Sequence, residues 1–380
     1  MIDYEILKII WWLLVGILLL GFAFMDGHDM GAVSLLPIVG KIDEERRVVI
    51  NTVGPHWDGN QVWFISAGGA LFAAWPLVYA TAFSGLYFAM MAVLWSLFFR
   101  PLGFDYRSKL ADSRWRNTWD WLLVLGSAVP ALLFGVALGN VLQGIPFQYD
   151  ASTMRVTYLG SFWGLLNPFA LLAGLVSIVM IVAHGANFLA LRSRGEVRAR
   201  ARKASVIAML TMMIAFAGAG IWVAFLPGYV ISSGIANAGA VLTPLDKTVA
   251  VNTGGLLTNF LDFPLLWLIP ALAFMGGLAS ILFIRRDCPG RAFIFSGIAE
   301  FGVIFTAGTA LFPFVLPSSA HADSSLTLWD CVSSQFTLNV MFWVALIMTP
   351  LVIAYTGWAY RVMRGPVTVE QIQANNHSAY

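Results

Sequence analysis

An all-helical protein that crosses a lipid bilayer many times is the fold class this sequence predicts, and three observations carry it. Of its 380 residues, 59% are hydrophobic and only 11% charged, where a water-soluble domain has about 25% charged. Apolar runs of about 20 residues, enough to span a bilayer, recur along the whole chain. The basic residues gather between alternate runs, as the positive-inside rule requires of a polytopic protein.

The first run, roughly 7–28, follows Met1-Ile-Asp-Tyr-Glu5. That start is acidic where a secretory signal is basic, and no small-residue cleavage site follows, so the run is expected to stay as the first span. The second and third, roughly 52–75 and 78–99, are parted only by a turn at Pro76, a residue that cannot continue a helix interior. Six more follow at about 118–142, 165–191, 204–226, 263–284, 292–313 and 336–361. Nine spans place the termini on opposite sides, and 19 of the 22 basic residues then fall on one face, leaving Lys8, Arg155 and Lys247 elsewhere. The N-terminus is therefore expected outside and the C-terminus in the cytoplasm, with residues 1–380 forming a single transmembrane domain. The outer loops, 143–164, 227–262 and 314–335, are long and poor in basic residues, and are expected to cap the bundle. A short amphipathic interfacial helix is expected within 245–260.

Several function classes are excluded. A net charge of +2 gives no basic footprint for nucleic acid. Cys288 and Cys331 form neither a disulfide scaffold nor a metal-binding spacing, and read as packing residues. Phosphate-binding, dinucleotide-binding, zinc-protease and nucleophile-elbow motifs are absent from the sequence.

Polar groups inside apolar runs are costly and so mark candidate sites. Asp26 and Asp29 close the first run in Phe24-Met-Asp-Gly-His-Asp-Met30. At i and i+3 they share a helix face, where two carboxylates can share a proton or, alternatively, cap the helix end. Asn51-Thr-Val-Gly-Pro-His-Trp-Asp-Gly-Asn-Gln61 opens the second run with an unusual concentration of polar groups. Its Asp58 lies near Asp26 and Asp29 at one membrane face, which reads either as an inlet for protons from the cytoplasm or as a hydrogen-bond network joining two helices. Trp57 beside Asp58 reads either as a packing residue or as a ring on which a quinone can stack. Glu300, in the middle of the eighth run, is expected to be protonated or to face a polar group of a partner subunit. Asp120 is expected to pair at the surface with Arg116, four residues before it.

A b-type haem needs His or Met ligands from facing membrane helices. His321 and His377 lie outside the runs and His28 and His56 at their ends, so only His184 is well inside one. It is expected to bond a neighbouring helix, and the chain is not expected to hold a haem alone. Trp11, Trp12, Trp115, Trp119, Trp121, Trp163, Trp329 and Trp358 lie near run borders and read as interfacial anchors. The echo of Ala67-Gly-Gly-Ala-Leu-Phe72 in Ala307-Gly-Thr-Ala-Leu-Phe312 reads as two small-residue patches for close helix packing.

Longer strings are more specific. Ile9-Ile-Trp-Trp-Leu-Leu-Val-Gly16, Asp26-Gly-His-Asp-Met-Gly31, Pro55-His-Trp-Asp-Gly-Asn-Gln-Val-Trp63 and Gly68-Gly-Ala-Leu-Phe-Ala-Ala-Trp-Pro76 occur in order. So do Phe98-Phe-Arg-Pro101, Phe104-Asp-Tyr-Arg107, Leu311-Phe-Pro-Phe-Val-Leu-Pro-Ser-Ser319 and Ser325-Leu-Thr-Leu-Trp-Asp330. Together they resemble subunit II of the cytochrome bd-type, or cyanide-insensitive, quinol oxidases along the whole chain.

That resemblance implies nine helices in two four-helix bundles plus one. It implies a complex that oxidises ubiquinol or menaquinol, reduces dioxygen to water and draws its protons from the cytoplasm. The haem-bearing subunit I would carry two b-type haems and a d-type haem, or a third haem b, and small single-helix accessory subunits can join. By position, Asp58 matches an acidic residue of the proton path, Asp26 and Asp29 an acidic pair, and Trp57 a tryptophan associated with a bound, structural ubiquinone. No catalytic residue and no metal ligand is expected in this chain. His28 departs from the aromatic expected there, and Glu300 has no family counterpart. A proton-coupled secondary transporter is the alternative, and a purely structural membrane scaffold a third reading. Transporters, however, usually interrupt helices at the midplane, whereas here the polar groups crowd one face.

Overall fold

A computed structural model describes residues 2–150, 152–235 and 237–374; His377 lies outside them. Helix α1, Tyr4–Ser34, starts where the Asp3 carboxylate accepts the amides of Glu5 and Ile6 at 3.0 and 3.3 Å, satisfying two donors that a helix start leaves bare. Two short helices follow, α2 (Leu36–Val39) and α3 (Asp43–Val53). The first turn of α3 is acidic, Asp43-Glu-Glu45, which suits the positive end of a helix dipole. Burial works against the charge of Glu45, but bonds from Arg200 and from the amides of Lys41 and Ile42 outweigh it and hold its pKa below the ordinary range.

Helix α4 (Trp57–Ala74) meets α5 (Pro76–Gly85) at 118°, and α6 (Tyr87–Leu97) and α7 (Phe99–Tyr106) continue to Lys109 as one span. The remaining spans are α8 (Ser113–Gln143), α9 (Pro168–Arg192) and α10 (Gly195–Val223), then, after the short α11 (Thr258–Asp262), α12 (Leu268–Arg285), α13 (Pro289–Leu311) and α14 (Gln335–Val362). A short α15 (Val369–Ala374) packs back on α3. Among the described residues eight helical stretches are long and apolar enough to cross a membrane, and the bent pair α4–α5 makes nine. The second span begins five residues later than expected, because residues 52–53 belong to α3 and Gly54-Pro55 separates it from α4.

The outer loops do form a cap. It consists of three two-stranded antiparallel sheets: β1 (Phe147–Tyr149) with β2 (Val156–Tyr158), β3 (Pro227–Ser233) with β4 (Thr248–Thr253), and β5 (Phe314–Leu316) with β6 (Leu326–Thr327). This corrects the interfacial helix expected at 245–260. Thr248-Val-Ala-Val-Asn-Thr253 is β-branched and alternating, so it pairs with β3, and only the single turn of α11 is α-helical there.

The cap also explains two of the three basic residues on the outer face. Lys8 is fully buried and donates to the carbonyls of Ala238, Ala240 and Trp329 at 2.7–3.0 Å. Lys247 is buried against Asp330 at 2.8 Å. These lysines are structural cross-links rather than topology signals. Trp11 likewise is no interfacial anchor: it is buried, and its indole N–H donates to the Leu338 carbonyl at 3.0 Å.

The bundle is drawn together around α1 and α9, where the backbones nearly touch. A Cβ on Gly31 would lie 2.0 Å from the Ile181 carbonyl oxygen, and one on Gly185 2.3 Å from the Ala32 amide. Small residues permit such crossings where lipid removes the hydrophobic drive between helices. Gly31→Val should therefore lose about 3 kcal/mol or more, beyond the ordinary cost of overpacking because the obstacle is backbone. A detergent melting curve equal to that of the unaltered chain would contradict this.

Candidate functional site: a buried polar cluster at the basic end

The last two turns of α1, the first turn of α4 and the end of α14 converge at the basic end of the bundle. Asp26 and Asp29 are both fully buried, yet they do not share one environment. Asp26 takes a two-pronged bond from the equally buried Arg100 of α7, Nη2 to Oδ1 at 2.5 Å and Nη1 to Oδ2 at 3.0 Å. A planar guanidinium matches a carboxylate in this way where a lysine cannot.

Asp29 faces a different set. Its Oδ2 accepts from Asn60 Nδ2 at 2.7 Å. Its Oδ1 lies 3.2 Å from His28 Nε2 and 3.5 Å from His56 Nδ1. Tyr360, near the end of α14, brings its hydroxyl to 3.1 Å from His28 Nε2, 3.2 Å from His56 Nδ1 and 2.6 Å from Asn60 Nδ2.

Asp58 and Trp57 sit on the other sides of the same α4 turn. Asp58 is exposed and within electrostatic reach of Arg100. Trp57 is half-buried, stacks on Phe104 with centroids 5.1 Å apart, and has the Arg100 guanidinium 5.4 Å from its ring centre. One helical turn thus points His56 and Asn60 inward to Asp29 while holding Asp58 outward.

From Asp58 onward, α4 leaves a face open. Asp58, Val62, Ile65, Gly69 and Phe72 recur at helical spacing and are all exposed. A Cβ added at Gly59, Gly68 or Gly69 would meet nothing within 4 Å. In the small-residue patch 67–72, Gly68 and Gly69 face open space, while Phe72 meets only the Tyr79 ring of α5 among the described ring contacts, centroids 5.1 Å apart.

His184 does bond neighbouring helices, as expected. Its Nδ1 lies 2.7 Å from Ser296 Oγ and its Nε2 3.1 Å from the Phe24 carbonyl. Of the two alternatives for Glu300, the structure goes against the one that faces a partner subunit: it is buried inside this chain, with His184 Nε2 3.9 Å away and no hydrogen bond to either oxygen, the surroundings the protonated alternative calls for. Asp120 is a correction. It is buried and bonded to Arg107 at 2.5 Å and Arg46 at 2.8 Å, while Arg116 reaches Asp43 instead. Burial between α3, α7 and α8 selects partners that are distant in sequence.

Sequence reasoning missed Arg100, Arg107 and Tyr360. The two arginines carried a signal, since they close an apolar run within Phe98-Phe-Arg-Pro101 and Phe104-Asp-Tyr-Arg107, but the positive-inside count absorbed them as loop charges. Tyr360 carried none.

Comparison with known proteins fits this arrangement. The family described as cytochrome bd terminal oxidase subunit II matches residues 7–363. The chain is 53% identical to cytochrome bd-I ubiquinol oxidase subunit 2 of Escherichia coli, over all of both chains. It is 33% identical to cytochrome bd ubiquinol oxidase subunit 2 of Bacillus subtilis, over 94% of this chain and 96% of that one. A chain from the solved bd oxidase of Geobacillus thermodenitrificans superposes with a TM-score of 0.72 at 14% identity, covering 94% of this chain and 98% of that one, which establishes the shared fold. With a family match over nearly its whole length and a relative sharing half its residues end to end, the chain belongs to the cytochrome bd terminal oxidase subunit II family.

Proposed function

We propose that the chain is the non-haem large subunit of a quinol:oxygen oxidoreductase in the bacterial cytoplasmic membrane, working as one transmembrane domain. It docks the haem-bearing subunit I on the open face of α4 and delivers cytoplasmic protons into that interface through Asp58. The observation that carries this reading is the face itself. An apolar stripe with open glycines at 59, 68 and 69 is what a helix needs to approach a neighbour closely, and the exposed Asp58 carboxylate at its basic end would stand where it can pass a proton to that neighbour.

The haems, two of b-type and one of d-type or a third b-type, supply electron transfer and oxygen reduction when bound in subunit I. This chain's residues hold and move protons. Asp58 takes a proton at a carboxylate oxygen from the cytoplasm. Asp29, reached through His56 and Asn60 on the same turn, is a second station. Asp26 sets the local field through its bond to Arg100. A ubiquinone would rest on the exposed part of Trp57 as a structural ligand, the other surroundings of the ring being taken by Phe104 and Arg100. Small single-helix subunits can join at other exposed faces. Without subunit I the chain has no turnover of its own.

The test is assembly. Ile65→Arg should prevent subunit I from co-purifying with a tagged chain while the chain itself still inserts. Ile214→Trp, a change at an equally exposed position of α10 (73% exposed), should leave co-purification intact. Retention of subunit I by the Ile65 variant would overturn the assignment of this face.

A further inference from the structure

The atoms around Asp29 meet the requirements of a metal ion as well as those of a proton, and we propose that His28, Asp29, His56 and Tyr360 form a binding site for one divalent first-row cation of zinc's class. The inference leaves the oxidase reading and the proton route through Asp58 in place, but it replaces one part of it: with a metal bound, Asp29 and His56 are ligands rather than a second proton station.

Geometry comes first. The inward atoms are His28 Nε2, His56 Nδ1, Asp29 Oδ1 and Tyr360 Oη. Four of the six separations among them are 3.1 Å for Tyr360 to His28, 3.2 Å for Tyr360 to His56, 3.2 Å for His28 to Asp29 and 3.5 Å for His56 to Asp29. A tetrahedral ion with ligands about 2.0–2.1 Å away holds them about 3.3–3.4 Å apart. The two imidazoles and the carboxylate all lie within 4.8 Å of one another and are all buried. Two imidazoles with oxygen donors suit zinc and its neighbours rather than the hard cations calcium and magnesium.

Hydrogen-bond chemistry then leaves a place for a cation. His28 Nδ1 lies 2.8 Å from the Phe24 carbonyl, and a carbonyl only accepts, so that nitrogen carries the hydrogen. In a neutral ring Nε2 is therefore a lone pair, 3.2 Å from Asp29 Oδ1 and 3.1 Å from the Tyr360 hydroxyl. A cation at the centre of the cluster would satisfy that lone pair and also Asp29 Oδ1, a buried oxygen whose other neighbour, His56 Nδ1, stands 3.5 Å away. Part of a second shell is in place: Phe24 orients His28, and Asn60 holds the other Asp29 oxygen at 2.7 Å. The competing states hold no metal: an imidazolium at His28, or a neutral network in which the Tyr360 O–H donates to His28 Nε2.

The complex purified through a tag on this chain, incubated with zinc chloride and washed with a chelator, should retain about one non-iron metal ion per complex by mass spectrometry. Zinc K-edge absorption should show nitrogen and oxygen neighbours at about 2.0 Å with imidazole scattering behind them. In His28→Phe the retained metal should fall roughly tenfold or more. If that variant fails to assemble, the absorption spectrum of the unaltered complex decides alone. A complex that retains no stoichiometric metal overturns the proposal in favour of a metal-free hydrogen-bond network, and metal retained fully by His28→Phe puts it elsewhere. Neither result would alter co-purification with subunit I, so loss of this inference and loss of the oxidase reading remain distinguishable.

Discussion

Exchanging Arg100 for leucine should abolish accumulation of the folded chain. The guanidinium and the Asp26 carboxylate are both fully buried and bonded twice to each other. Removing one member of such a pair leaves an uncompensated charge and costs about 3–5 kcal/mol, a large share of the roughly 5–15 kcal/mol by which folded proteins are stable. Arg100→Lys should do only partly better, because a point charge on a flexible stem cannot make the forked contact. The double variant Asp26→Leu with Arg100→Leu should recover much of the loss, since replacing both partners by apolar groups is often close to neutral. Yield and melting temperature in mild detergent measure all three. An Arg100→Leu chain as stable as the original would show that the pair contributes little.

The span count was legible because lipid imposes a length and a hydropathy on every helix that crosses it. The site was legible in part. Asp26, Asp29, Asp58 and Trp57 stand out as polar or aromatic groups next to apolar runs, and three of the four line one buried region or its rim. What could not be read was pairing. Nothing in one dimension says that Asp26 meets Arg100, 74 positions away, while Tyr360 on the last span meets His28, His56 and Asn60 around Asp29. Asp120 has an arginine at ideal helical spacing and ignores it, because Arg107 and Arg46 reach it across a buried junction. The cap was illegible for a related reason: strands of two to seven residues are too short for periodicity to show. Lys8 looked like a topology exception until the carbonyls of two outer loops were seen to surround it.

Asp58 separates a proton-conducting subunit from a scaffold. It is exposed on α4 with its side chain free of the buried cluster, so asparagine, which keeps the shape and removes the ionisable proton, should change stability by no more than about 0.5 kcal/mol. If protons for oxygen reduction enter through this carboxylate, losing it removes an acid–base step worth roughly 100-fold at the low end. A secondary route would soften that loss to about tenfold. Secondary transport fits less well with a carboxylate at a helix end than with one beside a helix interrupted at the midplane.

Quinol-driven oxygen consumption by purified Asp58→Asn complex, normalised to haem content, is the measurement to make. Unchanged haem and subunit I with oxygen consumption lowered roughly tenfold or more is the outcome this account requires. Full oxygen consumption at full haem content would contradict a proton route through Asp58, and loss of haem or of subunit I would make the residue structural instead.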